Sequence, residues 1–386
     1  MSENRIRLGL IFEVNEGWIG GTYYILNLIS SLQTLPAEEK PVITILSKNK
    51  SDFETAQKTG YPFLNYKNPY NIKRNLIERI VDKFFNAIIR KNIFDKRISP
   101  NDVDVIFPAA DGYFFERIQK KIYWLPDFQH IVYPDFFDSS LINERNNIIQ
   151  NIAKSHQQLV LSSEAAKKNW EYLPIKKNCA VHVIPFAVTH PYIDHLIIND
   201  LLNEFKIEKK YFIVSNQFWV HKNHFVVLKA ALKLKKKHVL FQFVFTGNEG
   251  DSRQPGYFKS ILDFITLHNL TENIKILGLI DRKKQLKLMQ HSIAVIQPSL
   301  FEGWSTVIED AKSLGKNIIA SDIDVHKEQL ISNGFFFSPD SETELAEKIT
   351  MLLSLPHTFS FTDYSKNIKM FGQKFYDVLK FNLNKV

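Results

Sequence analysis

Residues 294–315 read AVIQPSLFEGWSTVIEDAKSLG, and the order they imply is strand, loop, helix. Ala294 to Gln297 is a short apolar run closed by Pro298, as in a buried strand. Ser305 and Thr306 are helix-capping types, and the residues after them continue at helical spacing. A helix starting there presents free amides and a positive dipole end, which suit a diphosphate. Gly303 lets a ligand approach the backbone. Glu302, and Glu309 or Asp310, offer carboxylate acceptors to sugar and ribose hydroxyls. Taken alone, the same residues also describe an ordinary capped helix whose acidic groups complement its dipole.

Outward from this stretch the rhythm repeats. Strand-like runs occur at Tyr211–Ser215, Phe241–Thr246, Ile274–Leu277 and Asn317–Ala320, and earlier at Arg7–Phe12, Val42–Leu46, Val103–Phe107, Lys121–Leu125 and Leu159–Leu161. Helical segments separate them, the pattern of parallel sheets covered by helices. A chain of 386 residues exceeds one ordinary core and fits two domains. The expected fold is therefore α/β, two Rossmann-like doubly wound lobes facing across a cleft. The boundary falls between Pro185 and Lys206. The expected units are residues 1–190, residues 191–360, and a C-terminal helix in 361–386 crossing back to the first lobe. Such sheets bind ligands beyond the carboxyl ends of their strands, so the loops after strands matter most.

Composition narrows the class. Hydrophobic residues at 45% and charged residues at 23% describe a folded globular chain. One cysteine, Cys179, allows no internal disulfide, and no cysteine–histidine spacing resembles a zinc site, so a reducing cytoplasm is the expected compartment. The N-terminus turns directly into a strand rather than a signal peptide, and no apolar run reaches membrane-spanning length. The net charge of +8 is concentrated in part between Lys67 and Arg97, where Ile77, Ile80, Val81, Phe84, Phe85, Ile88 and Ile89 recur at helical spacing among basic residues. Such a helix either lies on an anionic membrane or packs its apolar side on the core. Nucleic acid is not an expected partner, since no recognition motif accompanies the charge.

Three further motifs sit at strand ends. Ser215–His224 reads SNQFWVHKNH, and Lys222 there can stabilise a leaving diphosphate. Ile19–Tyr24 reads IGGTYY, where Gly20 and Gly21 form a glycine-rich turn between first strand and first helix. Tyr123–His130 reads YWLPDFQH, placing Asp127 and His130 in the loop after a strand.

Together with Pro298–Gly315, these segments resemble glycosyltransferase family 4, clearly over the second half and more thinly over the first. The family carries a proline, serine, aromatic, glutamate, glycine run followed by a second glutamate. It separates its glutamates by seven residues, whereas six lie between Glu302 and Glu309, and an ungapped alignment puts Asp310 second. The family's arginine and lysine, five positions apart, correspond to Gln217 and Lys222. The resemblance implies a GT-B arrangement and retaining transfer of a sugar from a nucleoside-diphosphate donor by front-face attack, without a required metal or cofactor. It implies catalytic roles for His130, Glu302 and Lys222. Donor contacts are implied for Gly20, Gly21, Gln217, Gly278, Leu279, Gly303, Trp304, Ser305 and Thr306, with ribose bound by Glu309 or Asp310. Asp127 would face an acceptor that is a glycan or is lipid-linked, in surface-polysaccharide assembly at the inner face of the membrane. The alternative is a GT-B-like partner subunit without activity.

Overall fold

A computed structural model describes residues 5–70, 98–109, 115–208, 210–251, 253–331, 334–355 and 363–384, with Ile77, Ile80, Val81, Lys83 and Phe84 between the first two spans. The first lobe begins with β1 (Arg7–Ile11), α1 (Ile19–Leu32), β2 (Val42–Leu46), α2 (Lys50–Gln57), β3 (Leu64–Lys67) and β4 (Val105–Phe107). It continues with β5 (Ile122–Trp124), α3 (Gln129–Val132), α4 (Ser139–Lys154), β6 (Gln158–Leu161), α5 (Glu164–Tyr172) and β7 (Ala180–Val183). Sheets of order β3-β2-β1-β4 and β5-β6-β7 are joined by a parallel bridge between Ile106 and Lys121, and every pairing is parallel. Parallel strands are covered on both faces, so their side chains are apolar. Leu8, Leu10, Ile43, Ile45, Val105 and Phe107 are accordingly wholly buried.

The second lobe runs α6 (Ile198–Phe205), β8 (Phe212–Ser215), α7 (His224–Lys236), β9 (Phe243–Thr246), α8 (Tyr257–Leu267), β10 (Ile274–Ile276), α9 (Arg282–His291) and β11 (Ala294–Gln297). Then follow α10 (Thr306–Ser313), β12 (Asn317–Ser321), α11 (Asp324–Gln329), β13 (Gly334–Phe337), α12 (Glu342–Ser354) and α13 (Ser365–Asn384). Its six-stranded parallel sheet has the order β10-β9-β8-β11-β12-β13, so the strand order reverses between β8 and β11. A crevice opens at that reversal, beyond the strand ends.

The chain crosses between lobes twice. After β7 it passes through Phe186–His190 into the second lobe; after α12 it returns as α13, whose Phe371, Phe375 and Leu379 are buried in the first lobe's core. α13 packs on α1 where Gly372 stands. A Cβ there would lie 2.3 Å from the Ser31 carbonyl oxygen, so only glycine permits this approach.

The expected strands coincide with β1, β2, β4, β5, β6 and β8 to β12 within a residue or two at their ends. The glycine pair is a correction: Gly20 and Gly21 lie in the first turn of α1, not in a loop before it. Asn15 caps a preceding 3-10 turn by accepting from the Trp18 amide at 3.0 Å, and the indole of Trp18 fills the space a Gly21 side chain would need. The basic segment 67–97 lies mostly outside the described residues, but Ile77, Ile80 and Phe84 are described and exposed, so they do not face the core. Among the described residues no helix is long and apolar enough to cross a membrane.

Candidate functional site in the cleft

The loops after β8 and β11 lie side by side because their strands are neighbours. The Leu300 amide donates to the His221 carbonyl at 2.7 Å and locks the two loops together. Within this frame Lys222 donates to Glu302 Oε1 at 2.6 Å. The same oxygen accepts from Ser299 Oγ at 2.7 Å and Gln297 Nε2 at 2.8 Å, while Gln297 Oε1 accepts from Asn216 at 3.0 Å. The Lys222 and Glu302 side chains are only 14% and 9% exposed. A charge pair so enclosed holds its geometry through several hydrogen bonds, unlike a surface pair.

α10 starts where the residue types imply: Ser305 is its N-cap, its hydroxyl accepting from the Ile308 amide at 3.3 Å. The amide of Ser305 is held by Gln329 of α11 at 3.0 Å. The helix start points to a cavity lined by Trp18, Trp124, Asp127, Lys222, Glu302 and Thr306, with Gly20, Gly303 and Trp304 also on its wall.

Residues of both lobes close this cleft. Trp304 Nε1 donates to the Phe186 carbonyl at 3.0 Å and Gln217 to the Gly17 carbonyl at 3.4 Å. Gly303 meets the first lobe: a Cβ would lie 1.8 Å from the Pro126 carbonyl oxygen. The room expected for a ligand at Gly303 is thus taken, on the side its Cβ would occupy, by protein backbone. Gly278 has a left-handed φ of +64°, Leu279 beside it is exposed, and neither lines this cavity.

Two expected roles, carried by three residues, meet a different geometry. His130 is expected beside the reacting sugar but lies in α3, buried, in the wall of a neighbouring apolar slot. Asp127 Oδ1 accepts the Gln129 amide at 3.0 Å, and the resulting turn sends Gln129 to the cleft and the His130 ring inward, 6.3 Å from Phe137. Burial and the Arg145 cation push His130 below the ordinary histidine range. Glu309 and Asp310, the ribose candidates, are each 1% exposed and turn away from the cavity. Glu309 accepts from Tyr364, from Lys312 at 2.9 Å and from Gln329 at 3.0 Å. Asp310 pairs with Arg282 at 2.5 Å and lies 3.0 Å from His190, and the Arg282 cation with the His190 hydrogen bond holds its carboxyl below the usual range despite burial.

His221 was missed by sequence reasoning although it lines the cavity. Its adjacency to Lys222 was the available signal. Burial, then Lys222 and Arg253, hold it far below the ordinary range, so its ring is neutral.

Two lobes with parallel sheets, a cleft between their strand ends and a returning C-terminal helix define the GT-B architecture. Residues 202–374, from α6 into α13, match the model of the family described as glycosyl transferases group 1. Among solved structures the chain is similar to a glycosyltransferase from Rickettsia africae, with TM-score 0.65, 16% identity, 99% of this chain and 100% of that one covered. It is similar to Alr3699/HepE of Anabaena, in complex with UDP and glucose, with TM-score 0.63, 15% identity and coverage of 98% and 97%. Sucrose-phosphate synthase from Thermosynechococcus elongatus gives TM-score 0.60, 14% identity and coverage of 98% and 95%. At these identities the likeness is one of fold. No curated protein matches the chain.

Proposed function

We propose that this protein is a retaining glycosyltransferase of family 4 type that moves a sugar from a nucleoside diphosphate to a hydroxyl acceptor. The observation that carries this reading is the enclosed Lys222–Glu302 pair beside the N-terminus of α10, on a cavity whose opposite wall holds Asp127. Lys222 and the amides opening α10 stabilise the negative charge that grows on the departing diphosphate. Glu302 orients donor-sugar hydroxyls. The C1–O bond to the β-phosphate breaks and its electron pair stays on the phosphate. The acceptor oxygen bonds to C1 on the same face, and its proton passes to a leaving phosphate oxygen. A ribose contact from Glu309 or Asp310 replaces one of the internal bonds described above. On this reading the diphosphate charge is met by protein groups and no divalent metal is required. UDP is the first nucleotide to try, because Alr3699/HepE is described with UDP and glucose. The acceptor is a glycan or lipid-linked alcohol in surface-polysaccharide assembly. The enzyme works in the cytoplasm, and the exposed Ile77, Ile80 and Phe84 in a basic stretch suit contact with an anionic membrane.

The test is turnover with UDP-sugars and simple alcohol acceptors, reading UDP release and the anomeric configuration of the product. Transfer with retention, lost in Lys222→Ala, supports the proposal. An inverted product contradicts the mechanism. A second reading, a partner subunit without activity, is favoured by Gln217, a neutral group bound to the Gly17 carbonyl where the family has arginine. Nucleotide binding without turnover, with every donor, selects that reading.

A further inference from the structure

Beside the cleft lies a second cavity of about 320 Å³, open to solvent at its mouth. Its walls are apolar: Pro108, Leu125, Ile148 and Ile149 complete a surface begun by Trp18 and Trp124. Its polar groups are quiet. Arg145 is bound to Asp127 at 3.1 Å and lies over the Phe137 ring, and the buried His130 is held toward its neutral form. Trp18, Trp124, Pro126 and Asp127 line both cavities, so the slot is continuous with the cleft along an aromatic wall. Trp124 stacks on Tyr24 at 3.9 Å and on Trp18 at 5.6 Å, which makes that wall rigid. At the mouth Ile148 is 45% exposed and Trp18 is 40% exposed. Apolar surface left open next to a polar reaction cleft marks a place for an apolar group.

We infer that this slot seats the apolar part of the acceptor, an alkyl- or aryl-bearing alcohol whose hydroxyl is presented to the cleft at Asp127. The inference rests on the transfer reading and adds the acceptor's chemical class. A purely polar glycan would leave the slot unfilled. An amphiphile covers Leu125, Ile148 and Ile149 with its tail while its hydroxyl reaches the shared aspartate.

Calorimetric titration with alkyl glucosides from methyl to octyl, each below its micelle concentration, tests this on wild type and on Ile148→Glu. The substituted position is on the exposed side of α4, and circular dichroism checks that the variant folds. In wild type, affinity should rise about two- to fourfold per added methylene until the slot is filled. In Ile148→Glu that dependence should flatten, while Ile148→Leu retains it. A wild-type affinity indifferent to chain length overturns the inference. A dependence that persists unchanged in Ile148→Glu overturns it too, since the tail then binds elsewhere. Melting temperature with a panel of nucleoside diphosphates is followed in the same samples. Absence of a shift with every one of them sinks the transfer reading, and the chain-length series then still decides whether the slot takes an apolar group.

Discussion

Gly303 and Glu302 do different work although they are adjacent. Gly303 sets the distance between lobes, because the Pro126 carbonyl occupies the place of its missing side chain. Gly303→Ala should therefore push the lobes apart and lower kcat/KM roughly tenfold or more; small-angle scattering should show a wider molecule with unchanged secondary structure. Glu302→Gln keeps a hydrogen-bonding oxygen for Ser299 and removes the charge. It should lower kcat by on the order of a hundredfold while a nucleotide-induced melting shift survives. An unchanged kcat would remove Glu302 from the chemistry. Both residues and Lys222 were singled out in the sequence by strand-end position and residue type together with the family resemblance, and the structure brings all three to one cavity. The inward turn of His130 was not, since it depends on Asp127 accepting one particular amide. The partners of Glu309 and Asp310 were also invisible, because Tyr364, His190 and Arg282 come from distant segments.

At the scale of elements, the returning α13 ties the interlobe crossing to α10. The Tyr364 hydroxyl donates to Glu309 and accepts the Val188 amide at 3.2 Å. Burial and the Glu309 carboxylate push that hydroxyl well above its ordinary range, so it stays a donor. Tyr364→Phe leaves a buried carboxylate one partner short and should cost about 1–3 kcal/mol in denaturant unfolding. A loss below a few tenths would mean water replaces the hydroxyl. Strands in the interior of each sheet were legible from their apolar runs, whereas β3, with the polar sequence LNYK, and β13, with GFFF, were not. Both are edge strands of four residues, partly exposed, and neither makes a run long enough to stand out.

For the molecule as a whole, the alternation of strand and helix was enough to yield two doubly wound lobes, but the closed cleft arises from contacts that pattern does not encode. Buried histidines give the second lobe a pH dependence. Burial lowers His224 to about 3 and His326 to about 4. Their unfolded forms protonate near the ordinary histidine value of about 6.5. Below that pH the unfolded chain binds protons that the folded chain refuses, so stability is full above about 6.5 and falls as pH drops. The slope is up to about 1.4 kcal/mol per pH unit for each histidine, and it levels off for each once the folded form protonates. Urea midpoints between pH 7 and pH 4 check this, and His326→Asn should shallow the slope.

On the transfer reading the cleft binds a nucleoside diphosphate through Lys222, and melting temperature against a panel of nucleoside diphosphates reads that binding. A selective rise with one base, worth about 2.7 kcal/mol at a hundredfold excess over Kd and lost in Lys222→Ala, is the predicted result. No rise with any nucleotide, or a rise that Lys222→Ala leaves intact, would contradict it.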